Sequence, residues 1–427
     1  MTFSKTKVIF AFIFMLSSSF ASAGSVCRSI FLESEIAAKI EDLKVEEPPR
    51  DTTVAGIFRV IDQMAVAFRD TDSFTSPRAW RKQGAAFGLS GLDLPKELGG
   101  SDLPASEMVQ IFNHAGEYAL DLRDVIGGAH SRPLTSSENP EILEIVRQVA
   151  RGDGYMAIAI TEEDYGSNMR AMKSVSERTD GGYRLTGAKF YNGRFSSATH
   201  VILFTQSSTQ SAGKLNAFVL PIDYPGLKYT QIEAHGLRGN SFGGVSFENI
   251  FVPEKYRLGG DGQGGKVFRN HFLYWRLMMS ATAVGTGLGA IKQVVDRLRT
   301  RQAFGGPIGR FTHLQQPLAE HTAKLHMASL LVQQAASLID QGKYEEASPL
   351  VAMAKAEGVE FALAAADYAM KTFGAEGYSN RVDLAQRVAD LQGLRIADGT
   401  TDVMREDVVR QIYGNDFWDM AIGTGSQ

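Results

Sequence analysis

The sequence predicts an α+β fold with an N-terminal helical domain, a middle β-sandwich or β-barrel domain and a C-terminal four-helix bundle. Three observations lead to this prediction. Of the 427 residues, 44% are hydrophobic and 22% are charged, which is typical of globular proteins with enough chain to bury a core. Short runs rich in β-branched and aromatic residues begin near Tyr155. Long stretches of helical periodicity resume at Lys266.

The chain opens with the three parts of a secretory signal peptide. Lys5 and Lys7 precede a short apolar run, and Ala21 and Ala23 form a small-residue cleavage site. The apolar run is too short to span a bilayer, which takes about 20 residues. Residues 1–23 therefore suggest export to the periplasm. The alternative is an apolar extension on a cytoplasmic protein.

Residues 24–54 predict a helix followed by a linker, because a charged stretch ends at Pro48 and Pro49. An N-terminal helical domain follows over residues 55–152, where apolar residues recur at helical spacing. Its predicted helices cover residues 57–70, 77–87, 106–118 and 140–150.

A β-domain is predicted over residues 153–258. Its segments are short, rich in β-branched and aromatic residues, and separated by glycine-containing turn pairs. The predicted strands cover residues 156–160, 183–188, 200–206, 217–221 and 245–252. Strands this short with regular turns are typical of a compact sandwich or barrel.

The C-terminal bundle is predicted over residues 259–416, with a tail at 417–427. Its helices cover residues 266–301, 314–341, 345–372 and 402–413. Two glycine patterns in this region imitate nucleotide-binding loops. The first, at 260–266, lacks the Ser or Thr of a phosphate-binding loop, because Val267 follows the lysine. The second, at 285–289, lies inside a helical pattern with no strand before it, which indicates glycines for close helix packing.

The composition excludes several classes of function. The 44 basic and 48 acidic residues give a net charge of −4. The sequence therefore lacks the excess of basic residues that is typical of nucleic-acid-binding proteins. The single cysteine, Cys27, excludes an internal disulfide and a cysteine-based zinc site. The histidines show no metal-ligand spacing, so no metal is predicted, and no serine nucleophile elbow occurs.

Four separated segments carry motifs that point to chemistry. They are Thr161-Glu162 with Gly166-Ser167, Lys189-Phe190-Tyr191, Arg301-x-x-Phe304-Gly305-x-Pro307, and Asp398-Gly399-Thr400. In this order and spacing, the segments resemble the acyl-CoA dehydrogenase family over roughly residues 55–415. Each motif is weak alone, and their combination is specific.

The resemblance implies a flavoenzyme with FAD between the β-domain and the C-terminal bundle. It also implies a homodimer or homotetramer, because the adenine half of FAD reaches a neighbouring subunit in the family. The cofactor-binding residues it implies are Thr161, Ser167, Tyr191, Gly193, Arg301, Phe304, Lys371, Gly374, Thr400 and Asp402. The substrate-binding residues it implies are Ser167, Arg276 and Gly399. Tyr191 stands where the family usually has tryptophan, and a planar Arg301 guanidinium suits a pyrophosphate.

The implied reaction is α,β-dehydrogenation of an acyl thioester carried on CoA or on an acyl carrier protein. Asp398 stands where most members have the glutamate that removes the α-proton, and its side chain reaches about 1.5 Å less far. Some relatives place the base one residue before the arginine matching Arg276, but Trp275 occupies that position. A structural alternative is that Asp398 caps the following helix.

Two further hypotheses differ in class. A flavin oxidase of the nitroalkane-oxidase type would act on a small substrate without CoA. A degenerate homologue would serve as a non-catalytic scaffold, and the unusual Lys371, Ala375 and Asp398 motivate this hypothesis. The electron acceptor stays open. Flavoproteins usually fold around FAD in the cytoplasm, and the N-terminus has no twin arginine, so flavin loading favours the cytoplasm over export.

Overall fold

The computed structural model describes residues 53–70, 77–209, 214–237, 239 and 242–414. The signal-like segment 1–23 and the tail 417–427 lie outside the described residues. So does the predicted helix and linker, except for its last two residues.

Within the described residues, four α-helices form the N-terminal region, at nearly the predicted bounds. They are α1 Val54–Asp70, α2 Pro77–Ala86, α3 Ala105–Tyr118 and α4 Pro140–Ala150. Helix α4 shows why its start is legible in the sequence. Pro140 occupies the first turn, where no backbone donor is needed, and the Asn139 side chain accepts a hydrogen bond from the Glu141 amide at 2.9 Å. Two 3-10 segments, Leu120–Asp124 and Ala129–Leu134, connect α3 to α4.

The middle region is one curled sheet of seven strands. They are β1 Met156–Ala159, β2 Val175–Thr179, β3 Gly182–Gly193, β4 His200–Ser207, β5 Leu215–Pro221, β6 Lys228–Ile232 and β7 Phe242–Pro253. The strand order is β1-β4-β2-β3-β7-β6, and β5 pairs with the other edge of β4. The sequence patterns missed β2 and β6 because both are mostly exposed and polar.

Strand β3 positions much of the site. It pairs antiparallel with β7, and the register shifts between Lys189 and Asn192. This bulge carries Tyr191 in the left-handed backbone region, at φ 57°. In a regular strand, side chains alternate strictly between the two faces of the sheet. The bulge interrupts this alternation near the end of β3.

Five helices form the C-terminal region. They are α5 Gly264–Thr300, α6 Thr312–Asp340, α7 Tyr344–Phe373, α8 Leu384–Ile396 and α9 Thr401–Tyr413. Helix α8 was not predicted, and it joins the four predicted helices. The interpretation of the α5 glycines as packing residues is confirmed, because a Cβ on Gly285 would lie 1.9 Å from the Asn113 carbonyl oxygen in α3.

Two apolar cores share the sheet between them. The larger core joins both helical regions to one sheet face, through residues such as Ile202 and Phe204. The smaller core fills the other face, with Val201 and Leu203. None of the helices in the described ranges combines the length and apolarity that a bilayer crossing needs.

Candidate active site

Asp398 lies in a tight turn, residues 397–400, between α8 and α9; we call this segment the Asp398 turn. Its backbone is left-handed at φ 60°, and Gly399 follows at φ 98°. A non-glycine residue in this region is under strain, and such strain concentrates at functional sites. The Arg276 side chain on α5 holds the turn, because its Nε donates to the Asp398 carbonyl oxygen at 2.7 Å.

The Asp398 carboxylate lies near enough to Arg276 and Lys355 to favour the charged forms of both side chains. Within the part of the chain that the structure describes, it takes part in no hydrogen bond and no ion pair, and the residue is half-buried. The alternative that Asp398 caps α9 is wrong. The cap is Thr400, whose hydroxyl accepts a hydrogen bond from the Val403 amide at 3.2 Å.

A buried lysine on α7 forms the other support of the turn. Lys355 is 0% exposed, and its Nζ donates to the carbonyl oxygens of Leu394 at 2.6 Å and Gly399 at 3.1 Å. Burial lowers the pKa of Lys355 to about 8, although the nearby Asp398 favours its charged form. Sequence reasoning missed this residue, and the signal was a lone lysine in the alanine-rich run 352–356.

The loop after β1 brings the predicted flavin-binding hydroxyls toward β3. The Phe190 amide donates to the Thr161 carbonyl oxygen at 2.8 Å, which places Thr161 next to the strand segment that carries Tyr191. Thr161 is half-buried and Ser167 is exposed. Both hydroxyls are therefore open to a ligand at this edge.

A buried ion pair shapes this loop. The Glu162 carboxylate accepts hydrogen bonds from the Lys189 Nζ at 2.9 Å and from the amides of Lys173 at 2.6 Å and Ser174 at 2.9 Å. Burial lowers the pKa of Lys189 to about 8, and Glu162 opposes the shift. The fixed loop holds Thr161 in place on a rigid support.

Tyr191 offers an exposed aromatic ring. The side chain is 49% exposed, and its ring lies 5.8 Å from that of Phe242, the residue paired with Gly193. An exposed aromatic ring on a bulge, next to the segment that carries Thr161, fits a flat heteroaromatic ring with a polar edge. The residues present therefore fit the isoalloxazine of FAD.

The remaining predicted cofactor residues lie on the C-terminal helices and their connections. Arg301, Lys371, Gly374 and Asp402 are exposed, and Phe304 is 89% exposed at φ 50°. In the described ranges, no hydrogen bond links them to Thr161, Ser167 or Tyr191. The structure thus brings the Thr161 and Tyr191 group together, and it leaves the Arg301 and Lys371 group on an open surface.

A buried network that sequence reasoning missed lies beside α5; we call Asp124, His130, Tyr155, Arg194 and His271 the Arg194 network. Arg194 Nε donates to the Asp124 Oδ1 at 3.0 Å and to the Tyr155 hydroxyl at 2.9 Å. A second Arg194 nitrogen contacts His130 Nε2, and His130 Nδ1 lies 2.8 Å from His271 Nε2. All five residues are buried.

The chemistry of arginine fixes the tautomers of both histidines. A guanidinium can only donate, so His130 Nε2 accepts, and His130 Nδ1 carries the proton that it donates to His271. Burial, then Arg194, lowers the pKa of His130 well below its usual value. Burial lowers the pKa of His271 to about 3, with Arg132 and Arg194 adding to the shift. Both rings are therefore neutral near neutral pH.

Comparisons with known proteins agree with this geometry. Residues 157–250 match the family model of the acyl-CoA dehydrogenase middle domain, and residues 262–413 match that of the C-terminal domain. Together the two matches cover more than half of the chain.

Three similar proteins illustrate the range. Mitochondrial isovaleryl-CoA dehydrogenase of Oryza sativa subsp. japonica is 27% identical over 347 residues, 78% of this chain and 82% of that protein. L-prolyl-[peptidyl-carrier protein] dehydrogenase of Pseudomonas fluorescens is 29% identical over 362 residues, 82% of this chain and 94% of that protein. The structure of the FAD complex of PigA superposes with a TM-score of 0.77 at 24% identity, covering 85% of this chain and 98% of that one.

Proposed function

Since the chain belongs to the acyl-CoA dehydrogenase family of FAD-dependent oxidoreductases, we propose that Asp398 removes the α-proton of an acyl thioester. When bound, FAD supplies the ring whose N5 takes the β-hydrogen as a hydride. The α C–H electron pair becomes the new Cα–Cβ π bond, so the product is the α,β-unsaturated thioester with the proton on Asp398. The thioester carbonyl makes the α-proton acidic enough for a carboxylate to remove.

The observation that carries this proposal is that the cations around the Asp398 turn form hydrogen bonds with its backbone and not with the Asp398 carboxylate. Neighbouring cations bind the backbone carbonyls of the turn, and among the described residues the carboxylate takes part in no hydrogen bond or close ion pair. A carboxylate with no partner in a half-buried turn is available as a base, whereas a carboxylate in an ion pair is already neutralised. The strained backbone of Asp398 fits a residue held for function.

The cofactor residues follow from the two groups in the site. Tyr191 would pack on the flavin ring, and Thr161 and Ser167 would bind its polar edge. Gly193 lies two residues after Tyr191, and Thr400 lies two residues after Asp398. We propose that both complete the flavin side. Arg301, Phe304, Lys371, Gly374 and Asp402 would bind the pyrophosphate and adenine half. Their exposure supports a homodimer or homotetramer in which this half is shared with a second copy.

The substrate class is proposed from the thioester chemistry that the similar proteins share. The name of isovaleryl-CoA dehydrogenase specifies an acyl group on CoA, and the name of L-prolyl-[peptidyl-carrier protein] dehydrogenase specifies one on a carrier protein. Ser167 and Gly399 are our proposed contacts to the thioester. Arg276 was predicted as a substrate residue, and its Nε is engaged by the Asp398 carbonyl oxygen. We therefore propose that Arg276 acts on the substrate by shaping the turn.

Anaerobic mixing tests the proposal. Purified protein loaded with FAD is combined with a panel of acyl-CoAs and acyl carrier protein thioesters, and the loss of oxidised-flavin absorbance is followed. We expect bleaching by at least one thioester, with formation of the unsaturated product. Bleaching by a nitroalkane and by no thioester would instead support the oxidase hypothesis. Protein that cannot be loaded with FAD would support the scaffold hypothesis.

A further inference from the structure

Lys355 is a buried cation whose partners are backbone carbonyl oxygens. Its Nζ donates to the carbonyl oxygens of Leu394 and Gly399, at 2.6 Å and 3.1 Å. Among the described residues, it forms no ion pair with a carboxylate within salt-bridge distance. Asp398 favours the charged form of Lys355 from beyond ion-pair distance. The two hydrogen bonds must offset the rest of the lost hydration of this buried ammonium. The lysine therefore contributes hydrogen bonds to backbone carbonyls that an apolar side chain could not form.

The two carbonyls explain what Lys355 supplies. Leu394 lies in the last turn of α8, which ends at Ile396, and the carbonyl oxygens at a helix C-terminus carry partial negative charge. Gly399 lies just beyond Asp398. One ammonium group thus links the C-terminal turn of α8, through Leu394, to the Asp398 turn, through Gly399.

Arg276 supports the turn from a different helix. It reaches from α5 to the Asp398 carbonyl oxygen, whereas Lys355 reaches from α7 to the neighbouring carbonyl of Gly399. Two successive carbonyl oxygens are therefore fixed by cations from two helices. Such fixation can hold Asp398 at its positive φ, because a strained residue persists only where its surroundings over-determine it.

We propose that Lys355 is a positioning residue that holds the Asp398 turn in the geometry needed for α-proton removal. This inference rests on the proposed function, since positioning matters only if Asp398 takes the proton. The short aspartate side chain makes the requirement strict. Displacing a catalytic group by ~1 Å can reduce the rate on the order of 10²-fold.

Two variants test Lys355. Lys355→Met keeps the length of the side chain and removes every donor, and Lys355→Gln keeps an amide that can donate to one carbonyl. We expect the single-turnover rate of flavin reduction at saturating thioester to fall about 10²-fold in Lys355→Met. The fall should be smaller in Lys355→Gln. Flavin content should stay close to that of the unmodified protein, because Lys355 does not contact the flavin in this proposal. Saturating thioester removes from the measured rate any change in substrate affinity that comes through Gly399, which Lys355 binds.

Two control variants separate positioning from general damage. Lys324→Met removes a half-buried lysine of α6 that pairs with Glu320 in the same helix. Val351→Ala loosens the buried face of α7, one turn from Lys355. Both should reduce flavin at the unmodified rate. A rate loss in Val351→Ala as large as that in Lys355→Met would overturn the positioning role.

A readout independent of catalysis is hydrogen exchange in the peptide covering residues 394–401. We expect faster amide exchange there in Lys355→Met and unchanged exchange in α6, with or without bound FAD. Unchanged exchange in the turn would contradict the proposal. Lys355→Gln gives the same test if the methionine variant does not fold.

A double-mutant cycle with Asp398→Asn distinguishes the two proposals. If Lys355 acts through Asp398, adding Lys355→Met to Asp398→Asn should reduce the rate little further. Full additivity, or an unmodified rate in Lys355→Met while Asp398→Asn is slow, would overturn only the Lys355 proposal. An unmodified rate in Asp398→Asn would overturn the proposed function, and the positioning role with it.

Discussion

Two regions of this protein contain buried charge, and they use it in opposite ways. In the Arg194 network, the side chains bind one another, so the Asp124 carboxylate is paired with Arg194 and the histidines are linked in a chain. In the Asp398 turn, the cations bind backbone carbonyls, and the carboxylate is left unpaired within the described ranges. The difference separates a group used for stability from a group available for chemistry.

The electrostatics agree with this division. Burial alone would raise the pKa of the Asp124 carboxyl, but Arg194 and Arg123 outweigh burial and lower it, so the carboxylate stays ionised and paired. The network also joins three parts of the chain, since Asp124 precedes α4, Arg194 follows β3 and His271 lies on α5. Its expected contribution is therefore to hold the two helical regions and the sheet together.

The largest effect is expected from removing the unpaired carboxylate. Asp398→Asn is nearly isosteric and not basic, so the rate of flavin reduction should fall by about 10²- to 10⁴-fold, the usual contribution of a general base. The free energy of unfolding should change by about 1 kcal/mol or less, because the carboxylate makes no hydrogen bond or close ion pair among the described residues and only its longer-range attraction to Arg276 and Lys355 is lost. Stopped-flow reduction and chemical denaturation measure the two quantities. A large loss of stability would break the comparison between the two regions.

Removing the paired guanidinium should give the reverse result. Arg194→Met leaves the Asp124 carboxylate buried, and breaking a buried pair costs 3–5 kcal/mol in typical cases, so we expect about 3 kcal/mol. The lower end applies because Arg123 lies 3.5 Å from Asp124 and still pairs with it. Denaturation midpoints of the flavin-loaded protein provide the measurement. Stability equal to that of the unmodified protein would show that the network is not structural.

The neutral histidines should make stability depend on pH in a stated direction. The pKa of His271 is about 3 in the folded protein and about 6.5 when unfolded, so the unfolded chain binds the proton first as the pH falls. Stability from this residue is therefore complete above about pH 6.5 and is lost toward acid, at about 1.4 kcal/mol per pH unit.

His271→Gln should flatten this dependence between pH 6.5 and 5. The comparison of variant with unmodified protein is needed because Asp121 acts in the opposite direction. Burial, then Asp390, raises the pKa of Asp121 to about 7, so the folded state binds that proton first and gains stability toward acid. Parallel stability profiles for the two proteins would contradict the assignment of a neutral His271.

The smallest effect is expected from the cap of α9. Thr400→Ala removes the hydroxyl that accepts from the Val403 amide and should cost about 1 kcal/mol of unfolding free energy. Thermal unfolding measures this loss. The variant sharpens the comparison because the Thr400 hydroxyl, unlike the Asp398 carboxylate, has a hydrogen-bond partner within the described residues. A rate loss like that of Asp398→Asn would show that the cap also contributes to catalysis.

Local signals in the sequence predicted most of the fold. Long apolar periodicity marked α5, α6 and α7, and the Pro140 start of α4 is a local signal too. Strands β2 and β6 were not predicted, because most of their residues are exposed and polar and therefore show no apolar pattern. Helix α8 has 13 residues, and its buried face includes Arg387 and Asp390 beside its leucines, so its apolar pattern is interrupted.

The site was predictable only where a motif is continuous in the chain. Asp398 could be found because Gly399 and Thr400 adjoin it. Lys355 could not, because it meets Leu394 and Gly399 across 39 and 44 residues, and no local pattern encodes such a contact. Arg194 follows Tyr191 by three residues, but its pairing with Asp124 across 70 residues is a property of the folded chain.

The most direct test of the role of Asp398 isolates the proton step from the hydride step. The probe is a thioester whose β-carbon bears no hydrogen, so that no hydride can leave. It is attached to CoA or to an acyl carrier protein, whichever gave the thioester that bleached the flavin, and it is incubated in D2O with the flavin-loaded protein. Loss of the α-proton signal is followed by NMR for the unmodified protein, for Asp398→Asn and for Asp367→Asn, an exposed aspartate on α7. We predict exchange in the first and third proteins and only the uncatalysed rate in Asp398→Asn. Exchange in Asp398→Asn at the unmodified rate would contradict the assignment of Asp398 as the base.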